Sequence, residues 1–159
     1  MVSLIKDRRL ARQLALDVLY QAEIRDQLPA EALSLQRREG WSVTLGDADQ
    51  GPQEPPTEEA VSYASELVEG VQEHSAEIDR LIDRYAERWA LERMPVVDRN
   101  LLRVAVFELL WAPGVPTAVV INEAIELAKS LSTEESGRFI NGVLGRLAEQ
   151  NAPAPEEPS

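Results

Sequence analysis

The sequence predicts an all-α fold, on three observations. Apolar residues recur at helical spacing in stretch after stretch, no stretch alternates apolar and polar residues as a half-buried strand would, and no internal repeat appears. With 159 residues the chain is near the usual size of one domain and can bury a hydrophobic core unaided by metals or disulfides. The expected organisation is a single helical domain over residues 1–150, interrupted by a flexible acidic loop at about 40–57 and followed by a disordered tail over 151–159.

The first helix is expected from Lys6 to about Gln27, where Leu10, Ala11, Leu14, Ala15, Val18 and Ala22 form one stripe before Leu28-Pro29 ends it. A short helix over Ala30 to Arg38 follows. The segment Gly46 to Thr57 holds five Gly or Pro residues and several acids without periodicity, which reads as a surface loop whose start Trp41 can pin to the body. Helix resumes near Glu58 with the stripe Val61, Ala64, Leu67 and Val71. Ser75 is a reasonable cap for the next helix, which carries Ile78, Leu81, Ile82 and Tyr85, and the two are expected to pair antiparallel.

After Pro95, the segment Asp98 to Trp111 is nearly apolar all round, as suits the central helix of a bundle. Beyond the breaker APGVP, Thr117 to Leu131 sets Val120, Ile121, Ala124, Ile125 and Ala128 opposite Asn122, Glu123, Glu126 and Lys129. The last helix begins at Ser132, which stands three residues before Glu135 as in a capping box, and aligns Phe139, Ile140, Val143, Leu144 and Leu147.

The net charge of −12 is at first sight wrong for a nucleic-acid binder, but its distribution is uneven. Residues 1–12 carry Lys6, Arg8, Arg9 and Arg12 against Asp7, a local +3 that leaves −15 on the remainder. At about 100° per residue, Arg8, Arg9 and Arg12 fall on the arc opposite the apolar stripe, with Lys6 beyond them, so all are expected to face water or a ligand. Tyr20 lies within about 20° of Arg9 on the same wheel, which would set an aromatic ring beside the basic patch. Cations beside a stacking platform suit single-stranded RNA, whereas the plain alternative is a solvated helix face.

No catalytic constellation is found. The chain has no cysteine and one histidine, His74 at a helix junction, so the common zinc and di-iron motifs cannot be built. Glu123 and Glu126 lie on the polar side of their helix and read as solvated carboxylates. Gly137, Gly142 and Gly145 sit inside a helical pattern with no strand before them, unlike a phosphate-binding loop. The expectation is a protein that is not an enzyme, holds no cofactor or metal, and works in the cytoplasm, since no apolar run approaches the roughly 20 residues of a membrane span.

Two stretches carry a family resemblance: Asp7 to Glu23 (DRRLARQLALDVLYQAE) and Met94 to Leu147. The second contains, in order, Val97-Asp98-Arg99, Leu102-Arg103, Glu108-Leu109, Ile121-Asn122-Glu123-Ala124, Ala128-Lys129 and Phe139 to Leu144. This series resembles the NusB family of transcription antitermination factors. The resemblance implies about seven helices in two bundle-like halves, and a role in processive antitermination, notably of ribosomal RNA transcription. It also implies three partners: boxA-type RNA, ribosomal protein S10 and the elongating RNA polymerase complex. Self-association through the RNA surface is a fourth.

Residue by residue, Arg8, Arg9, Arg12 and Tyr20 match the family's RNA-binding arm, with Lys6 beside it. Arg103, Lys129, Arg138 and Phe139 match positions that extend this surface, and Glu92 and Asp98 match acids on the side that meets S10. Phe139 lies at the edge of its helix's apolar stripe and can equally serve the core, and Arg103 and Lys129 can equally be surface charges. The same domain type also occurs as a targeting module of RNA methyltransferases; with no methyl-donor domain after Ser159, the free adaptor is expected. The remaining alternative is a protein-only helical adaptor.

Overall fold

The computed structural model describes residues 2–41, 55–87, 89–112 and 114–151, and these contain seven α-helices and no strand. The helices are α1 (Val2–Ile24), α2 (Pro29–Glu39), α3 (Glu58–Glu73), α4 (Ser75–Tyr85), α5 (Val96–Trp111), α6 (Thr117–Leu131) and α7 (Glu134–Asn151), with a 3-10 turn at Leu91–Arg93. The expected acidic loop lies mostly outside the described residues, and so does the expected tail apart from Asn151.

Local chemistry sets the helix ends. Asp26 takes the left-handed conformation at φ 54°, while the Gln27 amide reaches back to the Ala22 carbonyl at 2.8 Å, so α1 stops before Pro29. Pro29 opens α2, and the Gln72 side chain accepts from the Ala30 amide at 2.8 Å, capping α2 from α3. The Thr57 hydroxyl accepts from the Ala60 amide and donates to Asp7 at 2.8 Å, which ties the start of α3 to the first turns of α1. The cap of α7 is Thr133, one residue later than expected: its hydroxyl accepts from the Ser136 amide at 3.0 Å. Ser75 is the first residue of α4 and not its cap.

The apolar faces bury two adjoining cores. In the first, α1, α2 and α3 enclose Leu14, Val18, Leu33, Leu67 and Val68. In the second, Ile78, Ile82, Leu102, Val106, Ile140, Leu144 and Leu147 bring α4, α5 and α7 together with α6, and Leu16 of α1 reaches in. Full burial of each such side chain contributes ~1.5–3 kcal/mol, enough to hold the helices without a staple. Helix α5 joins the halves, packing against α1, α3, α4, α6 and α7. Helices α3 and α4 do not pair antiparallel as expected: α3 serves the first core and α4 the second, diverging at His74. Trp41 packs against the first core, as its expected pinning role requires.

Candidate nucleic-acid interface

The basic start of α1 divides into exposed and buried cations. Lys6 and Arg9 are exposed and Arg8 is half-buried. The Arg8 guanidinium lies over the Tyr63 ring of α3, 4.4 Å from its centroid, a cation–π arrangement that fixes its height above the surface. Arg9 meets Glu123 of α6 at 2.9 Å; the Arg9 side chain stays 64% exposed, against 14% for the carboxylate. An ion pair so open to water is weak and can exchange partners. A groove beside Arg8 is rimmed by Asp7 of α1 and by Glu58, Glu59 and Glu66 of α3, so an anion entering it meets repulsion from both helices.

Arg12 does not face water. It is 4% exposed and grips Glu108 of α5 through two hydrogen bonds, Nε to Oε1 at 2.6 Å and Nη2 to Oε2 at 2.9 Å. Tyr63 completes the cluster by donating its hydroxyl to Glu108 Oε2 at 2.6 Å. Burial alone would penalise the Arg12 charge, but the hydrogen bond and the charge of Glu108 outweigh it and raise the guanidinium above its ordinary value. Burial first, then the charge and hydrogen bond of Glu108, push the Tyr63 phenol well above the ordinary tyrosine value, so it stays a neutral donor. The expectation that Arg12 points outward fails because α1 is covered on more than one side: α3 and α5 both pack on it, and from Ala11 to Ala22 only Gln13 and Tyr20 escape full burial.

Tyr20 is half-buried, but it does not adjoin the arginines: it stands eleven residues beyond Arg9, about 16 Å along the helix. The ring that meets them is Tyr63. Arg103 is likewise distant, held near the other end of α1 by Asp79 at 2.9 and 3.2 Å, Asn100 at 3.0 Å and Glu23 at 3.7 Å. Arg99 joins that cluster through Glu23 at 2.7 Å. These are structural ties between α1, α4 and α5, so Arg103 is not a free surface charge.

Lys129, Arg138 and Phe139 stand at the first turns of α7 but on different faces of it, Gly137 and Phe139 being about 200° apart on the helix. Lys129 and Arg138 are exposed, and the Lys129 stem lies over Gly137, where an added Cβ would come within 3.2 Å of its Cγ. Phe139 is half-buried: it packs against the second core and also touches Trp89, ring centroids 5.5 Å apart.

Of the two acids expected to face a protein partner, Glu92 is exposed in the 3-10 turn. Asp98 is not a surface acid. It is 1% exposed and accepts the Ser136 hydroxyl at 2.8 Å, which fastens the start of α7 to α5. Glu123, expected to be solvated, is instead the partner of Arg9.

Tyr63, Glu108 and Glu123 therefore belong to the arrangement although sequence reading did not place them there. Only Glu108 had a usable signal, as an isolated carboxylate in an otherwise apolar stretch of α5. His74 sits at the α3–α4 junction, stacked on Trp111 with centroids 4.0 Å apart. Among the described residues, no group of three or more His, Asp or Glu side chains could hold a metal ion, and no helix is long and apolar enough to cross a membrane.

Comparison with known proteins gives one consistent result. The NusB family matches residues 9–149 of the chain. The transcription antitermination protein NusB of Salinispora arenicola is 49% identical over 142 residues, covering 89% of this chain and 95% of that protein. Among solved structures, NusB of T. maritima superposes with a TM-score of 0.75 at 38% identity, covering 92% of this chain and 93% of the other. A structure described as the antitermination factors NusB and NusE in complex with dsRNA superposes at 0.73 and 27% identity, covering 91% and 98%.

Proposed function

The chain belongs to the NusB family, and from that membership we propose that it is a transcription antitermination factor that binds boxA-type RNA together with ribosomal protein S10. In this reading it carries both to elongating RNA polymerase, in the cytoplasm, with residues 1–150 acting as one RNA-binding domain and no catalytic step. The observation that carries the proposal is the cationic edge of exposed Lys6 and Arg9 with half-buried Arg8, on a chain of net charge −12. A compact basic edge holds a short strand through its phosphates, while the acidic remainder discourages nonspecific polyanions.

Residue roles follow from exposure. Lys6 and Arg9 contact phosphate directly. Arg8 does so with its guanidinium stacked on Tyr63, which leaves the N–H edge free for oxygen. Arg12 is a positioning residue: through Glu108 it fixes the Tyr63 hydroxyl, and Tyr63 carries Arg8. Lys129, Arg138 and the open side of Phe139 extend the surface, and Tyr20 belongs to the far end of α1. Glu92 is placed to meet basic S10, where opposite charge raises the rate of encounter, and buried Asp98 supports the start of α7.

The test is the affinity of a boxA oligonucleotide against a scrambled one, each with and without S10. Preference for boxA that grows with S10 is the expected result. S10 binding that is indifferent to RNA would instead identify a protein-only adaptor.

A further inference from the structure

A second groove, of about 530 Å³, lies between α3 and the C-terminal end of α5, and shares Arg8, Tyr63 and Glu66 with the one beside Arg8. Its volume falls within the ~300–1,000 Å³ of ordinary ligand sites. One wall is aromatic. His74, Phe107 and Trp111 line it with their rings within 27° of parallel, the His74 and Trp111 centroids 4.0 Å apart and each 6.2 Å from that of Phe107. All three are half-buried, so ring surface stays open to the groove. Gly70 of α3 permits this wall, because the Phe107 ring fills the space where a Cβ would stand. The rim is acidic. Glu66, Glu69 and Glu73 follow at i, i+3 and i+7 along α3 and share one helix face; all are exposed and in no ion pair among the described residues. Arg8, over Tyr63, is the only Lys or Arg in the lining.

We infer that this groove is a docking site for a basic, arginine-bearing segment of a protein partner other than S10. An aromatic wall takes the flat guanidinium of an arginine or the stem of a lysine, and a carboxylate rim takes the charge. Three carboxylates against Arg8 leave the lining negative, which repels RNA phosphates and suits a cationic occupant. The same charge disfavours this chain's own segments over 42–54 and 152–159, which hold acids and no Lys or Arg. Trp111 ends α5, whereas Glu92 precedes its start; a helix of 16 residues, ~24 Å long, separates the two acidic regions. Only this separation from S10 rests on the function proposed above, and the chemistry of the groove does not.

The probe is a peptide of alternating arginine and glycine, compared with the same peptide carrying glutamate for arginine. Each is titrated calorimetrically into the full chain, into E69Q/E73Q, and into E134Q/E149Q, whose exposed acids lie on α7 outside the groove. The arginine peptide is expected to bind and the glutamate peptide not. E69Q/E73Q weakens the arginine peptide about tenfold, and E134Q/E149Q by less than about twofold. Binding also changes the intrinsic fluorescence of the unmodified protein, and W111F, which keeps Trp41 and Trp89, loses that change. Diffuse attraction to an acidic chain gives no such signal. Equal losses in the two glutamine pairs, or a fluorescence change that survives in W111F, overturn the proposal. So does an S10 affinity that falls in E69Q/E73Q as far as that of the peptide, which would give the groove to S10. A light-scattering mass that is doubled for the unmodified chain and single for E69Q/E73Q overturns it too, in favour of a second copy of this chain.

Discussion

Arg12 and Glu108 form a two-point ion pair, Nε–Oε1 2.6 Å and Nη2–Oε2 2.9 Å, closed off from water where α1 packs on α5. The pair joins the two halves of the fold, and Tyr63 extends it to the surface beneath Arg8. Removing one partner leaves the other charged and buried. Arg12→Ala is therefore expected to lower stability by ~3–5 kcal/mol, whereas replacing Arg12 and Glu108 together by leucines costs far less. Urea denaturation of each single variant and of the double variant checks this; a double-variant loss equal to the sum of the two single losses would mean that the pair carries no mutual dependence.

The same cluster predicts an alkaline dependence. Folded Tyr63 keeps its proton to a higher pH than the unfolded chain does, because of burial and Glu108. Its contribution to stability is complete below about pH 10, the ordinary tyrosine value, and is lost as pH rises above it. Denaturation curves taken on both sides of that pH should show a steeper fall for the unmodified protein than for Tyr63→Phe. Parallel falls would remove Tyr63 from the balance.

Gly70 lies in the middle of α3, where alanine would ordinarily stabilise a helix by about 1 kcal/mol. Here an added Cβ would run into the Phe107 ring. Gly70→Ala is expected to destabilise by ~1–3 kcal/mol, the reverse sign, because Phe107 is packed between both cores and cannot give way freely. A thermal melt reads the sign directly.

How far the molecule can be read from its sequence varies by element. The apolar run of Asp98 to Trp111 marks α5 as central, and the pattern restarting at Glu58 places the start of α3, because both depend on local periodicity. The cap of α7 moved by one residue since Ser132 and Thr133 are both competent hydroxyls and only backbone geometry chooses between them. The site was half legible. Arg8 and Arg9 stand where a helical wheel puts them, but a wheel shows only one apolar stripe and hides that α3 and α5 both cover α1. The partner that buries Arg12 is 96 residues away, a distance no local pattern spans. Tyr63 and Glu123 gave no signal for the same reason: their roles exist only once α3 and α6 lie against α1.

If Arg9 grips RNA as proposed, Glu123 competes with that RNA for it. Glu123→Gln should tighten RNA binding by up to about fivefold, the scale of an exposed ion pair worth at most ~1 kcal/mol. Stability should scarcely change. Weaker binding in this variant would show that Glu123 orients Arg9 for its ligand and does not hold it back.

The most direct measurement is the salt dependence of boxA RNA affinity for the unmodified chain and for the double variant Arg8→Ala/Arg9→Ala. If these two arginines grip phosphate, affinity falls and the slope of log K against log salt flattens by about 1.4, two contacts on a single strand. An affinity and slope identical to those of the unmodified chain would contradict it, and the basic start of α1 would then be an ordinary solvated helix face.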